Sequence, residues 1–301
     1  MGAMARISGT TKLAGVIGCP LDHTLSPAMH NAVYRELDLD WVYVPLAVRD
    51  EVGLRRVVAA IRSLPFVGFN VTMPYKVAVL ELCDDVAMAA RMAGAVNTVH
   101  CVDGKLVGYN TDGRGMLESL CEDAHFDPTG KRVVLLGAGG AAGGAFVALI
   151  LAKTASITVV NRDVERAEEL LDRMSPHTHA IETAAMSYPE AEDAFREADL
   201  VINATSVGMK PEDPCPAPAE WLRQGQVVLD MVYGTPRPTA LVAAARSAGA
   251  TALDGLGMLV CQGATSVDIW NASVQTKTPR DVMRAAAQEE LSARMEAGAT
   301  D

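Results

Sequence analysis

Arg132-Val133-Val134-Leu135-Leu136-Gly137-Ala138-Gly139-Gly140-Ala141-Ala142 is the stretch that decides the fold. Arg132–Leu136 reads as a buried strand, and the apolar run after the glycines reads as a helix to about Ala152. Between them stands a GxGxxA pattern in the strand–turn–helix context that a dinucleotide fingerprint requires. Glycines there allow a tight turn and a close approach of backbone amides to a pyrophosphate, and the helix start adds partial positive charge. The competing reading is a merely structural glycine turn; the context favours nucleotide binding by Gly137, Ala138, Gly139, Gly140, Ala141 and Ala142.

The next strand, Ile157–Val160, ends at Asn161-Arg162-Asp163, with Arg166 one helical turn on. An acid at this strand end commonly binds a ribose 2′-hydroxyl. Asn161 is neutral, and two guanidinium groups beside it suit a 2′-phosphate by charge and fork geometry, which favours NADP over NAD. Against this, Arg166 can pair with Glu165 or Glu169, and Asp163 would repel a phosphate unless turned away.

Working outward, strands and helices alternate along the chain. Leu13–Ile17, Trp41–Leu46 and Phe66–Val71 read as strands, with helices at Pro27–Glu36 and Glu51–Ile61. After Arg166–Met174 (helix), Leu200–Asn203, Val227–Asp230 and more weakly Ala250–Ala252 read as strands. Pro211–Pro218 reads as a loop, and Asp281–Glu296 as an amphipathic helix. The fold class is α/β with mostly parallel sheets. A boundary is expected near Asp112–Glu118, and a return crossing at the glycine-rich, flexible run Asp254-Gly255-Leu256-Gly257. The first domain is then discontinuous: 1–112 plus 256–301, with 113–255 as the nucleotide domain.

The bulk composition bounds the partners. The chain has 301 residues, half of them hydrophobic, and a net charge of -11. That acidity argues against nucleic acid and anionic membranes. The six cysteines are scattered without a CxxC pair, which points to a reduced cytoplasm and away from a metal site. There is no long apolar run to span a membrane. Met1-Gly2-Ala3-Met4 is compatible with an added leader before a natural start at Met4. Alanine-rich helices are compatible with a homodimer.

Several polar clusters fall where a parallel sheet gathers ligands. Asn70-Val71-Thr72-Met73-Pro74-Tyr75-Lys76 offers an amide, a hydroxyl and an amine on a backbone stiffened by proline. His23-Thr24-Leu25-Ser26-Pro27 offers two hydroxyls at a helix start, where plain capping competes as an explanation. Ala95-Val96-Asn97-Thr98 and Gly108-Tyr109-Asn110-Thr111-Asp112-Gly113 also suit simple turns. Lys76, alone, is most simply an exposed surface lysine.

Taken together, eight motifs resemble the shikimate dehydrogenase family, which includes the quinate/shikimate dehydrogenases. They run in family order: GxPxxHxLSPxxHN at Gly18–Asn31, NVTxPxK at Asn70–Lys76, GAVNT at Gly94–Thr98, GxNTDG at Gly108–Gly113, GAGGAA at Gly137–Ala142, NRxxxRA at Asn161–Ala167, NATSxGM at Asn203–Met209 and GLGMLVxQGA at Gly255–Ala264. The resemblance implies reversible NADPH-dependent reduction of 3-dehydroshikimate to shikimate. It also implies a substrate domain and a Rossmann-type domain facing across a cleft. By motif match, Lys76 and Asp112 are the implied catalytic pair; Thr24, Ser26, Asn70, Thr72, Asn97, Tyr233 and Gln262 are implied at the substrate; Thr205, Ser206, Gly255 and Met258 join the cofactor set. A lysine near the ketone oxygen can donate a proton or stabilise the developing charge, and a carboxylate beside it orients the amine. No metal is required. Three departures stand out. Thr24 replaces the usual serine and adds a methyl, Asp163 replaces a small hydroxyl residue, and Val267–Ala272 lacks the usual aromatic and glycine choices, which reads as repacking of the last helix. The rivals are an NAD-using quinate/shikimate dehydrogenase and a non-catalytic metabolite sensor on the same fold. Intact Lys76, Asp112 and cofactor loop speak against the sensor.

Overall fold

The computed structural model describes residues 7–235, 237–272 and 277–298. The segment Met1–Met4 lies outside them. In chain order the elements are β1 (Lys12–Gly18), α1 (Ser26–Glu36), β2 (Trp41–Ala47), α2 (Glu51–Ile61), β3 (Phe66–Val71), β4 (Asp85–Val86), α3 (Met88–Ala93), β5 (Thr98–Val102), β6 (Lys105–Tyr109), α4 (Asp112–Ala124), β7 (Arg132–Leu136), α5 (Gly140–Leu151), β8 (Ser156–Val160), α6 (Val164–Met174), β9 (Glu182–Met186), α7 (Glu192–Glu197), β10 (Leu200–Asn203), β11 (Val227–Asp230), α8 (Ala240–Ser247), β12 (Thr251–Leu253), α9 (Leu256–Trp270) and α10 (Arg280–Gly298). They fall into two compact units. One holds the described residues up to Thr111 together with those from Gln262 onward; the other holds Asp112–Cys261. The return crossing therefore falls inside α9. No helix among the described residues is long and apolar enough to cross a membrane.

The first unit is built on a sheet ordered β2-β1-β3-β5-β6-β4. Strands β1, β2 and β3 run parallel, and β5 runs antiparallel to both its neighbours. The β5–β6 hairpin turns at Asp103-Gly104, both at positive φ (50° and 74°), the conformation a two-residue hairpin turn demands. Ile17, Phe69, Val71, Val99 and Leu106 fill the core beneath α2 and the short Ala78–Leu82 helix. The outer edge of β2 is closed. Asn31 accepts from the Tyr43 N–H at 2.9 Å and donates to the Tyr43 carbonyl at 3.0 Å. Trp41 N bonds Leu39 O, and Pro45 has no N–H to offer. Another strand cannot add there without breaking these bonds.

The last turn of α9 seats on the same sheet. Trp270 is 5% exposed and donates its indole N–H to Val99 O at 2.9 Å. Its ring occupies the space over Gly68, where any Cβ would overlap it. The departing segment Val267–Ala272 thus supplies its own aromatic plug.

The second unit carries a fully parallel sheet ordered β12-β11-β10-β7-β8-β9. Counted within the unit this is the 3-2-1-4-5-6 order of the Rossmann fold, with its switch point between β7 and β10. Every residue of β10 and β11 is buried, which is why they read as continuous apolar runs. Helix α4 packs on α5 through Gly113, where a Cβ would strike the Gly144 carbonyl. The run read as flexible, Asp254–Gly257, is close-packed instead. A Cβ on Gly255 would overlap the Met231 carbonyl, and one on Gly257 would overlap Asp123 and Ser119. Both glycines admit close neighbours that a side chain would exclude.

Candidate active site

In the first unit the Asn70–Lys76 segment leaves the end of β3 as a tight turn, with Tyr75 N bonded to Thr72 O. The side chains divide by environment. Asn70 and Tyr75 are buried, Thr72 and Lys76 are half-buried, and Met73 is exposed. Tyr75 is anchored by its hydroxyl on Val48 O at 2.8 Å. The Lys76 carbonyl accepts from Val96 N, which ties this turn to the Asn97 segment.

Asn70 is the centre of a buried polar network. Its Oδ1 accepts from the Tyr43 hydroxyl at 2.8 Å. Its Nδ2 faces Ser266 Oγ at 2.9 Å, Thr98 Oγ1 at 3.1 Å and Asn97 O at 3.2 Å. Asn97 continues the chain: its Oδ1 accepts from Thr111 N at 2.7 Å, and its Nδ2 donates to Thr111 Oγ1 at 3.0 Å and Gln262 Oε1 at 3.3 Å. Ser266 donates back to Gln262 O, one turn earlier in α9, at 3.0 Å. The network thus holds the amides of Asn97 and Gln262 in fixed orientations. No buried side-chain nitrogen or oxygen among the described residues lacks a partner.

His30 extends this network on the apolar side. It stacks on Tyr43 at 4.1 Å between centroids, 12° from parallel, and is 1% exposed. Burial holds its imidazole neutral, with a pKa lowered to about 3.

The hydroxyls of the Thr24–Ser26 turn behave differently. The N-cap of α1 is Leu25, with no side-chain capping bond. Thr24 Oγ1 accepts from Ser26 N at 3.3 Å, and no hydrogen bond to Ser26 Oγ or Thr72 Oγ1 is present among the described residues. Hydroxyls with spare capacity suit a hydroxylated, carboxylated ligand, whereas Asn70 has spent its capacity on the protein.

The second unit holds the cofactor set and Asp112, the first residue of α4. Gly137 sits at φ 99°, a conformation that favours glycine, with Thr205 Cγ2 and the Ala204 carbonyl closing round it. Gly139 is the N-cap of α5; nothing lies within 4 Å of where its Cβ would be. Ala142 is fully buried against the sheet. A Gly137 turn, an open Gly139 and a buried Ala142 match the requirements for pyrophosphate on a helix start. Gly140, Ala141 and Ala138 are partly exposed around it.

At the end of β8, Asn161 Nδ2 bonds Asp163 O at 2.8 Å and shapes the turn into α6. Arg162 and Arg166 are exposed, and neither forms a salt bridge with a carboxylate among the described residues. The pairing of Arg166 with Glu165 or Glu169 is therefore not formed. Burial raises the nearby Tyr188 phenol, and the Arg162 charge pulls it the other way.

Thr205 bonds inward. Its hydroxyl donates to Asn203 Oδ1 at 2.7 Å, and Asn203 donates to buried Asp230 at 2.8 Å. Burial raises the Asp230 pKa, while Thr239, Val232 and Asn203 oppose that by donating to it. Thr205 thus rigidifies the loop beside Gly137, and Ser206 is the exposed residue of the pair. Tyr233 is half-buried; Gly255 and Met258 are buried.

The residues that sequence reasoning did not single out are Tyr43, Thr98, Thr111, Ser266 and His30. Thr98, Thr111 and His30 lie inside the quoted motifs. Tyr43 and Ser266 carry no local signal, because their partners are 27 and 196 residues away.

Two family profiles match the chain: "Shikimate dehydrogenase substrate binding domain" over residues 16–99 and "Shikimate / quinate 5-dehydrogenase" over residues 119–210. A curated shikimate dehydrogenase (NADP(+)) of Methanopyrus kandleri is 41% identical over 294 residues, covering 97% of this chain and all of the relative. A crystal structure of a shikimate dehydrogenase in complex with NADP+ superposes with a TM-score of 0.86 at 35% identity, covering 95% of this chain and 98% of the other. The quinate dehydrogenase of Corynebacterium glutamicum, in complex with NAD, gives a TM-score of 0.84 at 31% identity, covering 93% and 99%.

Proposed function

This chain belongs to the shikimate dehydrogenase family, and we propose that it interconverts 3-dehydroshikimate and shikimate with NADP(H). The observation that carries the cofactor is the open Gly139 helix start together with Arg162 and Arg166, both without a carboxylate partner. Gly137–Ala142 would cradle the pyrophosphate, and Asn161, Arg162 and Arg166 the adenosine end. Thr205, Ser206, Gly255 and Met258 would line the remainder of the cofactor, and Tyr233 would reach the substrate. NADPH, when bound, supplies the hydride.

The chain's own residues supply the rest. Thr24 and Ser26 take the substrate carboxylate with hydroxyl donors. Thr72, Asn97 and Gln262 take its hydroxyls. Asn70 acts at one remove, by fixing Asn97. Lys76 would donate a proton to the ketone oxygen or stabilise the charge that develops there, with Asp112 as its proposed catalytic partner. Lys76→Ala is expected to lower kcat by about 10²–10⁴-fold with little change in melting temperature; a rate near that of the parent would remove Lys76 from the mechanism.

The decisive experiment is steady-state oxidation of shikimate and of quinate, each with NADP and with NAD. Preference for shikimate with NADP is expected. Comparable quinate turnover with NAD would move the chain toward the quinate dehydrogenase, and make Thr24 and Asp163 the residues to exchange. We propose a cytoplasmic enzyme, on the support of six cysteines none of which forms a disulfide among the described residues. We also propose a homodimer, for which light scattering is the test; the blocked edge of β2 is not its route.

A further inference from the structure

The turn that carries Thr24 and Ser26 is anchored by fully buried Leu25, whose carbonyl accepts from Met29 N, and by Cys19 N to Met73 O and Thr24 N to Leu21 O. On its inner side lies a cavity of about 880 Å³, lined by Cys19, Leu21, Thr24, Pro27, Arg35 and Arg294 among others. Helix α10 forms the far wall and packs on α1, with Met283 and Ala287 fully buried.

Across this space Arg294 Nη2 donates to the Thr24 carbonyl at 3.0 Å, a contact 270 residues apart in sequence. Glu290, one turn earlier in α10, accepts from Arg294 Nε at 2.8 Å. Two bonds therefore fix the planar guanidinium of a side chain that is 35% exposed. The Thr24 peptide plane is held from one side while Thr24 Oγ1 accepts from Ser26 N on the other.

We propose that Arg294 is a positioning residue for the substrate carboxylate, acting through the Thr24 carbonyl to aim the Thr24 and Ser26 hydroxyls. This rests on the reading that those hydroxyls take the carboxylate. A direct contact between Arg294 and the substrate is not part of it. Arg294 sets the orientation of the turn before the ligand arrives, so its loss weakens substrate capture and leaves cofactor binding and the proton step untouched.

The test compares Arg294→Met, which keeps an unbranched stem without a donor, with Arg294→Lys, and uses Ser26→Ala as control. KM for shikimate, KM for NADP, kcat and melting temperature are measured for each. Arg294→Met is expected to raise KM for shikimate by about three- to tenfold, the range of one ordinary hydrogen bond, because Arg294 acts through the Thr24 turn and not on the substrate itself. The NADP KM stays constant, kcat stays within about twofold, and Arg294→Lys recovers part of the loss. With a shikimate analogue whose carboxylate is reduced to a hydroxymethyl group, the difference between parent and Arg294→Met disappears. Hydrogen exchange over residues 21–25 is faster in Arg294→Met. An unchanged shikimate KM, or an equal rise with the hydroxymethyl analogue, overturns the proposal. If Ser26→Ala also leaves KM unchanged, the carboxylate site itself is misassigned; if Ser26→Ala raises it and Arg294→Met does not, only the role of Arg294 fails.

Discussion

Asn70, Asn97, Thr98, Thr111 and Ser266 bond one another inside the first unit, whereas the β7–α5 turn of the second unit starts its helix with glycine and no side-chain bond at all. The first unit arranges polarity with side chains drawn from β3, β5 and α9. The second arranges it with backbone and keeps its charged groups, Arg162 and Arg166, at the exposed end of β8. The difference follows from the ligands proposed for each. A small ring bearing several hydroxyls needs donors and acceptors at fixed angles, which side chains locked by other side chains provide. A pyrophosphate needs amide hydrogens and room, which glycine provides.

Breaking the first arrangement is expected to have the larger effect. Asn70→Ala removes the acceptor that the buried Tyr43 hydroxyl uses and the donor shared by Ser266, Thr98 and the Asn97 carbonyl. A loss of about 2–4 kcal/mol in unfolding free energy is expected, since each unmet buried polar group costs about 1–3 kcal/mol. KM for shikimate should rise in the same variant, because Asn97 loses its fixed setting. Denaturant titration and steady-state kinetics read the two effects. A loss below 0.5 kcal/mol, on the scale of ordinary surface substitutions, would mean that the network is a set of independent bonds.

The second arrangement breaks at one atom. Gly137→Ala forces a side chain into φ 99° against Thr205, and is expected to cost about 1–3 kcal/mol and weaken NADP binding. Gly139→Ala has open space, so it should leave stability nearly unchanged and weaken only NADP binding. Titration calorimetry with NADP separates them. Equal destabilisation by both would refute the distinction between a turn glycine and an approach glycine.

How much of this could be read from the chain depended on the range of the forces involved. The parallel strands and the strand–turn–helix of Arg132–Ala142 are local patterns, and the observed bounds of β3, β7, β10 and β11 match the expected ones. The β5–β6 hairpin is legible too, since Asp103-Gly104 between Val102 and Lys105 is a strong turn signal. Strand β9, Glu-Thr-Ala-Ala-Met at a sheet edge and nowhere fully buried, has no such pattern to read. The network round Asn70 was not legible, because Tyr43 and Ser266 become its partners only in the folded unit. Nor was the role of Gly255 and Gly257, since glycine looks the same in sequence whether it frees a backbone or admits a neighbour.

The first unit also carries a pH dependence that the second does not share through any comparable buried histidine among the described residues. His30 has a folded pKa of about 3 against 6.5 unfolded. The unfolded chain therefore takes up the proton first, and stability falls as pH drops through 6.5 toward 3. The expected loss by pH 5.5 is about 1 kcal/mol, rising with further acidification. His100, lowered by burial in the same unit, adds in the same direction. Denaturant titrations at pH 7 and 5.5 should show this slope in the parent and a shallower one in His30→Phe. Equal slopes would mean that the imidazole titrates alike in the folded and unfolded chain, and that burial does not hold it neutral.

The smallest effect is expected at the exposed end of β8, where solvent screens charge. Arg162→Gln and Arg166→Gln should each raise KM for NADP by about three- to tenfold, with KM for NAD scarcely altered. The NADP effect should shrink at high salt, because a guanidinium–phosphate pair at the surface is screened and a shape contact is not. Asp163 provides the sharper reading of the same site. Its carboxylate is exposed and caps nothing in α6, so its removal leaves the helix start intact. If the side chain stands near the 2′-phosphate, Asp163→Ser tightens NADP and leaves NAD unchanged. If it is turned away, neither constant moves, and the preference for NADP rests on the two arginines alone.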